Sequence, residues 1–194
     1  GNISATAATL KMTIPAGTYN YRVFGMEMVY VSKDTFHLGD GASASTFNSI
    51  TIDSIAQATG VTGVTLGGGA VNIPAAFPMG YNGFYSMKYE ITQEQYVQFL
   101  NTLTYNQQVT RTAVDPILAT GTQAIGSPTY HNGIKIMTPG NNNVLPAVYG
   151  NDQTAGTFNN TNDAQTKACN YLNWPDVIAY LDWAALRPMT EMEF

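Results

Sequence analysis

Residues 169–194 read CNYLNWPDVIAYLDWAALRPMTEMEF, and the fold turns on them. Asn173 is placed to cap a helix, with Pro175 in the first turn and Asp176 three residues after the cap. Trp174, Val177, Ile178, Leu181, Ala184 and Ala185 then recur at i, i+3, i+4, i+7, i+10 and i+11, the apolar stripe of an amphipathic helix. Thr190 and Glu193 repeat the start signal as a capping box. The sequence stops at Phe194. Isolated helices shorter than roughly 12 residues are marginal in water. The helix opened at Thr190 is therefore expected to be completed by residues beyond Phe194, or to dock on a partner.

A second helix pattern lies upstream. Thr92 and Gln95 form a capping box, and Tyr96, Phe99, Leu100 and Leu103 follow at i, i+3, i+4 and i+7. Elsewhere the pattern is short and β-prone. In residues 1–24, Leu10, Met12 and Ile14 alternate with polar residues, as do Tyr19, Tyr21 and Val23. This predicts two strands around a turn at Pro15-Ala16-Gly17, forming an N-terminal β arm or the tail of an upstream domain. Apolar runs at 26–31 and 36–41 predict two further strands. Residues 42–83 are a Gly/Ser/Thr-rich insert with β-prone pieces at Ile50-Thr51-Ile52 and 61–66, and loops of that length are usually functional, mobile or interfacial. Residues 105–167 are loop-rich, with a short strand expected at 133–137.

Composition narrows the function classes. Charged residues are 11% of the 194-residue chain, against roughly 25% in a typical soluble protein. Amides and hydroxyls carry the polar share, and low charge weakens the repulsion between copies. The net charge is −5 and the eight Lys and Arg residues are scattered, so nucleic acid is not the expected partner. No apolar run approaches 18 residues, so no transmembrane helix is expected. The single cysteine, Cys169, excludes an internal disulfide. The chain begins with Gly1, consistent with a removed signal peptide or an upstream segment. Asn2-Ile3-Ser4 and Asn159-Asn160-Thr161 match the N-glycosylation pattern.

Three ordered segments carry a resemblance. Met28-Val29-Tyr30-Val31 followed by Phe36-His37-Leu38-Gly39-Asp40 resembles an opening MVYVPGGxFxMGD. Residues 84–101, FYSMKYEITQEQYVQFLN, resemble FxIxKYEVTNxQYxxF. Residues 174–194 resemble WxDAxAYxxWxGLRLPTEAEW. Together they are similar to the formylglycine-generating enzyme, or sulfatase-modifying factor, family, above all to its large secreted Bacteroidetes-type members. The resemblance implies an irregular α+β fold related to C-type lectins, with two main helices, short strands and long loops, incomplete at the C-terminus. It assigns residues 25–194 to the N-terminal part of such a domain. The family's copper-binding cysteine pair and most of its calcium ligands belong to a later half, so copper or calcium is expected only if that half is present.

The chemistry-bearing residues read mostly as structural. Cys169 occupies a position where the family usually has Val, and one thiol cannot form a two-cysteine copper site; it reads as a small buried apolar residue. His37 and His131 share no metal-ligand spacing. Asp34, Asp40, Asp152 and Asp163 lack calcium-loop spacing and read as solvated turn aspartates. Glu191 and Glu193 suit a helix start better than an acid/base pair, and Arg187 is expected to pair with a carboxylate of the same fold. Gly67-Gly68-Gly69 precedes no phosphate-loop lysine. Trp174, Tyr180 and Trp183 read as core in the family pattern, with Tyr180 partly exposed. No catalytic, cofactor or metal residue is therefore assigned.

The expected function is a non-catalytic extracellular or cell-surface structural protein, assembling into a homo-oligomer or filament by strand pairing. Two alternatives remain open. One is the N-terminal part of a copper- and oxygen-dependent formylglycine-generating-type oxidase, partnered by its own C-terminal half; the other is a lectin-like binding module.

Overall fold

The computed structural model describes residues 13–40, 47–65, 69–142 and 144–194. Their architecture is mixed α and β. Eight short strands pair antiparallel, two by two, with no closed barrel, around four α-helices.

The strands are β1 (Met28–Val31), β2 (Phe36–Leu38), β3 (Ile50–Ile52), β4 (Val61–Thr65), β5 (Ala70–Ile73), β6 (Phe84–Met87), β7 (Ile134–Thr138) and β8 (Val148–Asn151). β1 pairs with β6, β2 with β3, β4 with β5 and β7 with β8. The helices are α1 (Ser54–Thr59), α2 (Gln93–Leu100), α3 (Tyr105–Val109) and α4 (Trp174–Trp183). Residues 128–130 add a 3-10 turn.

The two expected helices form on the caps that the sequence offers. Thr92 and Gln95 close a reciprocal capping box on α2, and Asn173 and Asp176 close one on α4. Each box satisfies two N–H groups that the first helical turn leaves open. α2 buries Tyr96, Val97, Phe99 and Leu100 against α4 and the β7–β8 pair. Phe99 and Trp183 meet edge-to-face at 5.7 Å, and Phe99 meets Tyr180 at 5.8 Å, a favourable arrangement for aromatic quadrupoles.

The face that α4 buries differs from the expected stripe. Tyr180 is 1% exposed, not partly exposed, while Trp174 is 62% exposed and Ile178 is also open. The inward face runs through Asp176, Tyr180, Trp183 and Ala184. Aromatic contacts with Tyr96 and Phe99 set the rotation of the helix, and they outweigh the smaller area available from Ile178. Asp176 is held inside by its cap and by Arg111 Nη1 at 3.1 Å.

The described part of the insert is folded. Within it, β3, α1, β4 and β5 build a second small core around Leu38, Ile52 and Met79, which also receives Met192. Helix α1 was not expected; Asp53 caps it by accepting from the N–H groups of Ile55 and Ala56. Helix α3 was not expected either, although Thr104 and Gln107 form the same capping box as α2. The strand expected over Tyr19–Val23 does not form, and residues 13–27 run without secondary structure. Leu10, Met12, Gly67 and Gly68 lie outside the described residues.

Buried amides tie loops to the core beside three buried aspartates, Asp152, Asp163 and Asp176. Gln108 is fully buried; its Nε2 donates to the carbonyls of Leu100 (3.0 Å) and Ala147 (2.9 Å), and its Oε1 accepts from Ala147 N–H at 2.8 Å. Gln93 likewise joins His131 O to Gly133 N–H. Asn101 takes both backbone groups of Tyr149. A loop packed inside must have its peptide groups satisfied, and a carboxamide carries both a donor and an acceptor for that purpose.

Candidate functional site

The chemistry-bearing residues are spread over the molecule. Cys169 packs against the main core, and burial pushes its thiol up to about 12. At neutral pH it is protonated and a poor nucleophile. The two-thiol copper site of the resembled family does not fit this chain, which has one cysteine. His37 is exposed on β2 and its Nδ1 lies 3.1 Å from Thr51 Oγ1. His131 sits at a left-handed turn with φ 64. Among the described residues no group of three or more His, Cys, Asp or Glu side chains converges to hold a metal ion.

The aspartates divide. Asp34 is exposed and accepts from Thr35 N–H, a solvated turn as expected. Asp40 is also exposed. Asp152 and Asp163 are not solvated. Asp152 is 5% exposed and pairs with Lys135 at 2.8 Å. Asp163 is fully buried and accepts from the N–H groups of Thr154 (3.1 Å) and Asn160 (2.7 Å), tying the polar tract into a compact loop. Asp163 is committed to backbone N–H groups and Asp152 to its ion pair through Oδ2, and a turn-by-turn reading of the sequence reveals neither.

Glu193 and Arg187 meet as expected, and Glu193 also accepts from Thr190 N–H. Glu191 is exposed. The Thr190–Glu193 box is formed, and residues 191–193 make a turn.

The surface is distinctive where β1 and β6 meet. Their register places Tyr30 opposite Tyr85 and Val31 opposite Phe84. Paired residues share a face, and neighbours along a strand alternate, so both faces of this ribbon carry apolar side chains. Tyr85 is 65% exposed and Tyr30 50%; Val29 and Val31 are open as well. The Tyr30 and Tyr85 rings lie 5.1 Å apart. Among the described residues no third strand pairs with either edge of the ribbon.

The preceding segment is anchored only at its end. Phe24 packs edge-to-face on Trp183 at 5.0 Å, and Tyr180 Oη lies 3.6 Å from Met26 Sδ. Arg22 Nη1 donates to Gln98 Oε1 at 2.9 Å. These contacts enclose a cavity of about 750 Å³ between residues 22–26, α2 and α4. Tyr19 and Tyr21, ahead of Arg22, are exposed, and Val23, between Arg22 and Phe24, is 95% exposed.

The chain matches no family model, no curated protein and no solved structure. No helix among the described residues is long and apolar enough to cross a membrane.

Proposed function

We propose that this chain is a non-catalytic structural module of an extracellular or cell-surface assembly, built on a formylglycine-generating-enzyme-like domain and joined to its copies by strand pairing. The observation that carries the reading is the β1–β6 ribbon: two strands, both faces apolar, both outer edges without a partner among the described residues. An open edge with apolar side chains is a template for another strand. The exposed Tyr19–Tyr21–Val23 alternation is a suitable donor, since a peptide that adds to a sheet needs apolar residues at every second position. The donor and acceptor are different surfaces, so the contact is heterologous and propagates from copy to copy. The low charge supports close lateral packing, and the resemblance to secreted family members supports the location.

Sedimentation velocity and electron microscopy across a concentration series test the reading. Concentration-dependent oligomers are expected, lost on Val29→Lys or on deletion of residues 1–24. Monodisperse monomers at every concentration, indifferent to both changes, would sink it.

A further inference from the structure

A second cavity, of about 510 Å³, lies between α2, β8 and the loop at 159–166. Its lining is rich in amides and hydroxyls. Asn151, the last residue of β8, borders it and is 1% exposed. Both atoms of the Asn151 carboxamide are buried without a hydrogen-bond partner. A buried, unsatisfied amide costs about 1–3 kcal/mol and is rare in folded proteins. The register explains its direction. Asn151 pairs with Ile134 and sits two residues from Tyr149, so it shares the core face of β8 that packs on α2.

We propose that this cavity is a binding site for a neutral sugar unit. The carboxamide offers one acceptor and two donors side by side, and adjacent sugar hydroxyls each donate and accept. The hydroxyls of Thr161 and Thr166, both at exposed positions, extend the polar side of the cavity. Val97, Met137 and Val148 give an apolar side for the C–H face of a ring. The charges bordering the cavity, Arg22 and Glu94, cancel, and Arg22 is already engaged by Gln98. With one cation and one carboxylate the lining carries no net charge, so an anionic ligand gains no net attraction there. The volume falls within the roughly 300–1,000 Å³ of small-molecule pockets.

Access sets the affinity. Asn159, on the exposed turn, accepts from Asn151 N–H through its Oδ1 at 2.9 Å and has a left-handed φ of 63. A ligand reaches the amide when this turn gives way, so the apparent affinity falls by the fraction of open molecules. Millimolar binding is the expected range. The site is separate from the β1–β6 ribbon, and a monomeric protein would leave it standing.

Titration of the ¹⁵N-labelled chain with glucose, galactose, N-acetylglucosamine and glucuronate, followed by amide shifts, tests the assignment. At least one neutral sugar is expected to shift Gln98, Asn151, Thr161 and Thr166, with glucuronate leaving them in place. Asn151→Ala is expected to weaken binding about tenfold, equivalent to about 1.4 kcal/mol. Thr161→Val, at an exposed position, keeps the test valid should the first variant not fold, and is expected to weaken binding about threefold. Absence of site-specific shifts with every neutral sugar, shifts indifferent to the folded variants, or equal shifts with glucuronate would each overturn the proposal.

Discussion

Arg187 and Glu193 clasp each other through two parallel hydrogen bonds, Nη1 to Oε2 and Nη2 to Oε1, each 2.7 Å. The Glu193 side chain is 3% exposed while that of Arg187 is 53% exposed, so a largely shielded carboxylate faces a half-solvated guanidinium. The pair closes the segment after α4, and Thr190 Oγ1 joins it to the second core by donating to Pro78 O at 2.8 Å.

The pair makes stability depend on pH in one direction. The Arg187 guanidinium, with Thr190 N–H, holds the Glu193 carboxyl below its ordinary value. A carboxyl that binds its proton less readily when folded stabilises the fold above the unfolded value, about 4.3 for Glu. That contribution is lost as pH falls through the lowered folded value. Urea midpoints measured from pH 7 to pH 3 are expected to fall less steeply for Glu193→Gln than for the parent chain. At pH 7 the variant is expected to lose on the order of 1 kcal/mol, since Arg187 is half in water.

Gln108→Ala is expected to be among the most destabilising single changes. It removes three internal hydrogen bonds and leaves the Ala147 N–H and O and the Leu100 O buried without that partner. Chemical denaturation is expected to show a loss of about 2–4 kcal/mol. Gln107→Ala, which loses only the exposed cap of α3, is expected to lose about 1 kcal/mol.

Cys169 is expected to react slowly with iodoacetamide at pH 8 in the folded chain and at the rate of a free thiol in urea. Burial raises its pKa to about 12, leaving little thiolate. A folded-state rate matching the unfolded one would contradict this placement.

Gly39→Ala is expected to disrupt the second core. Gly39 has φ +69, and an added Cβ would stand 2.0 Å from Phe47 O, a backbone atom that cannot turn aside. A loss of roughly 2 kcal/mol or more in thermal or urea unfolding is expected. Gly63→Ala, at φ +71 with open space around it, is expected to lose about 1 kcal/mol from backbone strain alone.

The two Trp residues should separate in fluorescence. Iodide is expected to quench Trp174, 62% exposed, and to leave Trp183 largely unquenched in its cluster with Phe24, Phe99 and Tyr180. Trp174→Phe is expected to abolish most of the quenching.

Local chemistry was legible in the chain itself. The caps at Thr92 and Asn173, the strands at Met28, Phe36, Ile50, Val61 and Ile134, and the Arg187–carboxylate pair follow from residues within a few positions of one another. The box at Thr104 was equally local and marks α3. Tertiary structure decided the rest. Which side of α4 faces inward depended on Tyr96 and Phe99, which lie about eighty positions away. Asp152 became an internal partner because β7 brought Lys135 to it, and Asp163 because the 150–165 tract folds back on itself. Asn151 looks like any other amide in the sequence; only the packing of β8 on α2 leaves its carboxamide buried beside a cavity. Capping and alternation are encoded over one or two turns of chain, whereas burial belongs to surfaces that meet only when distant segments close on each other.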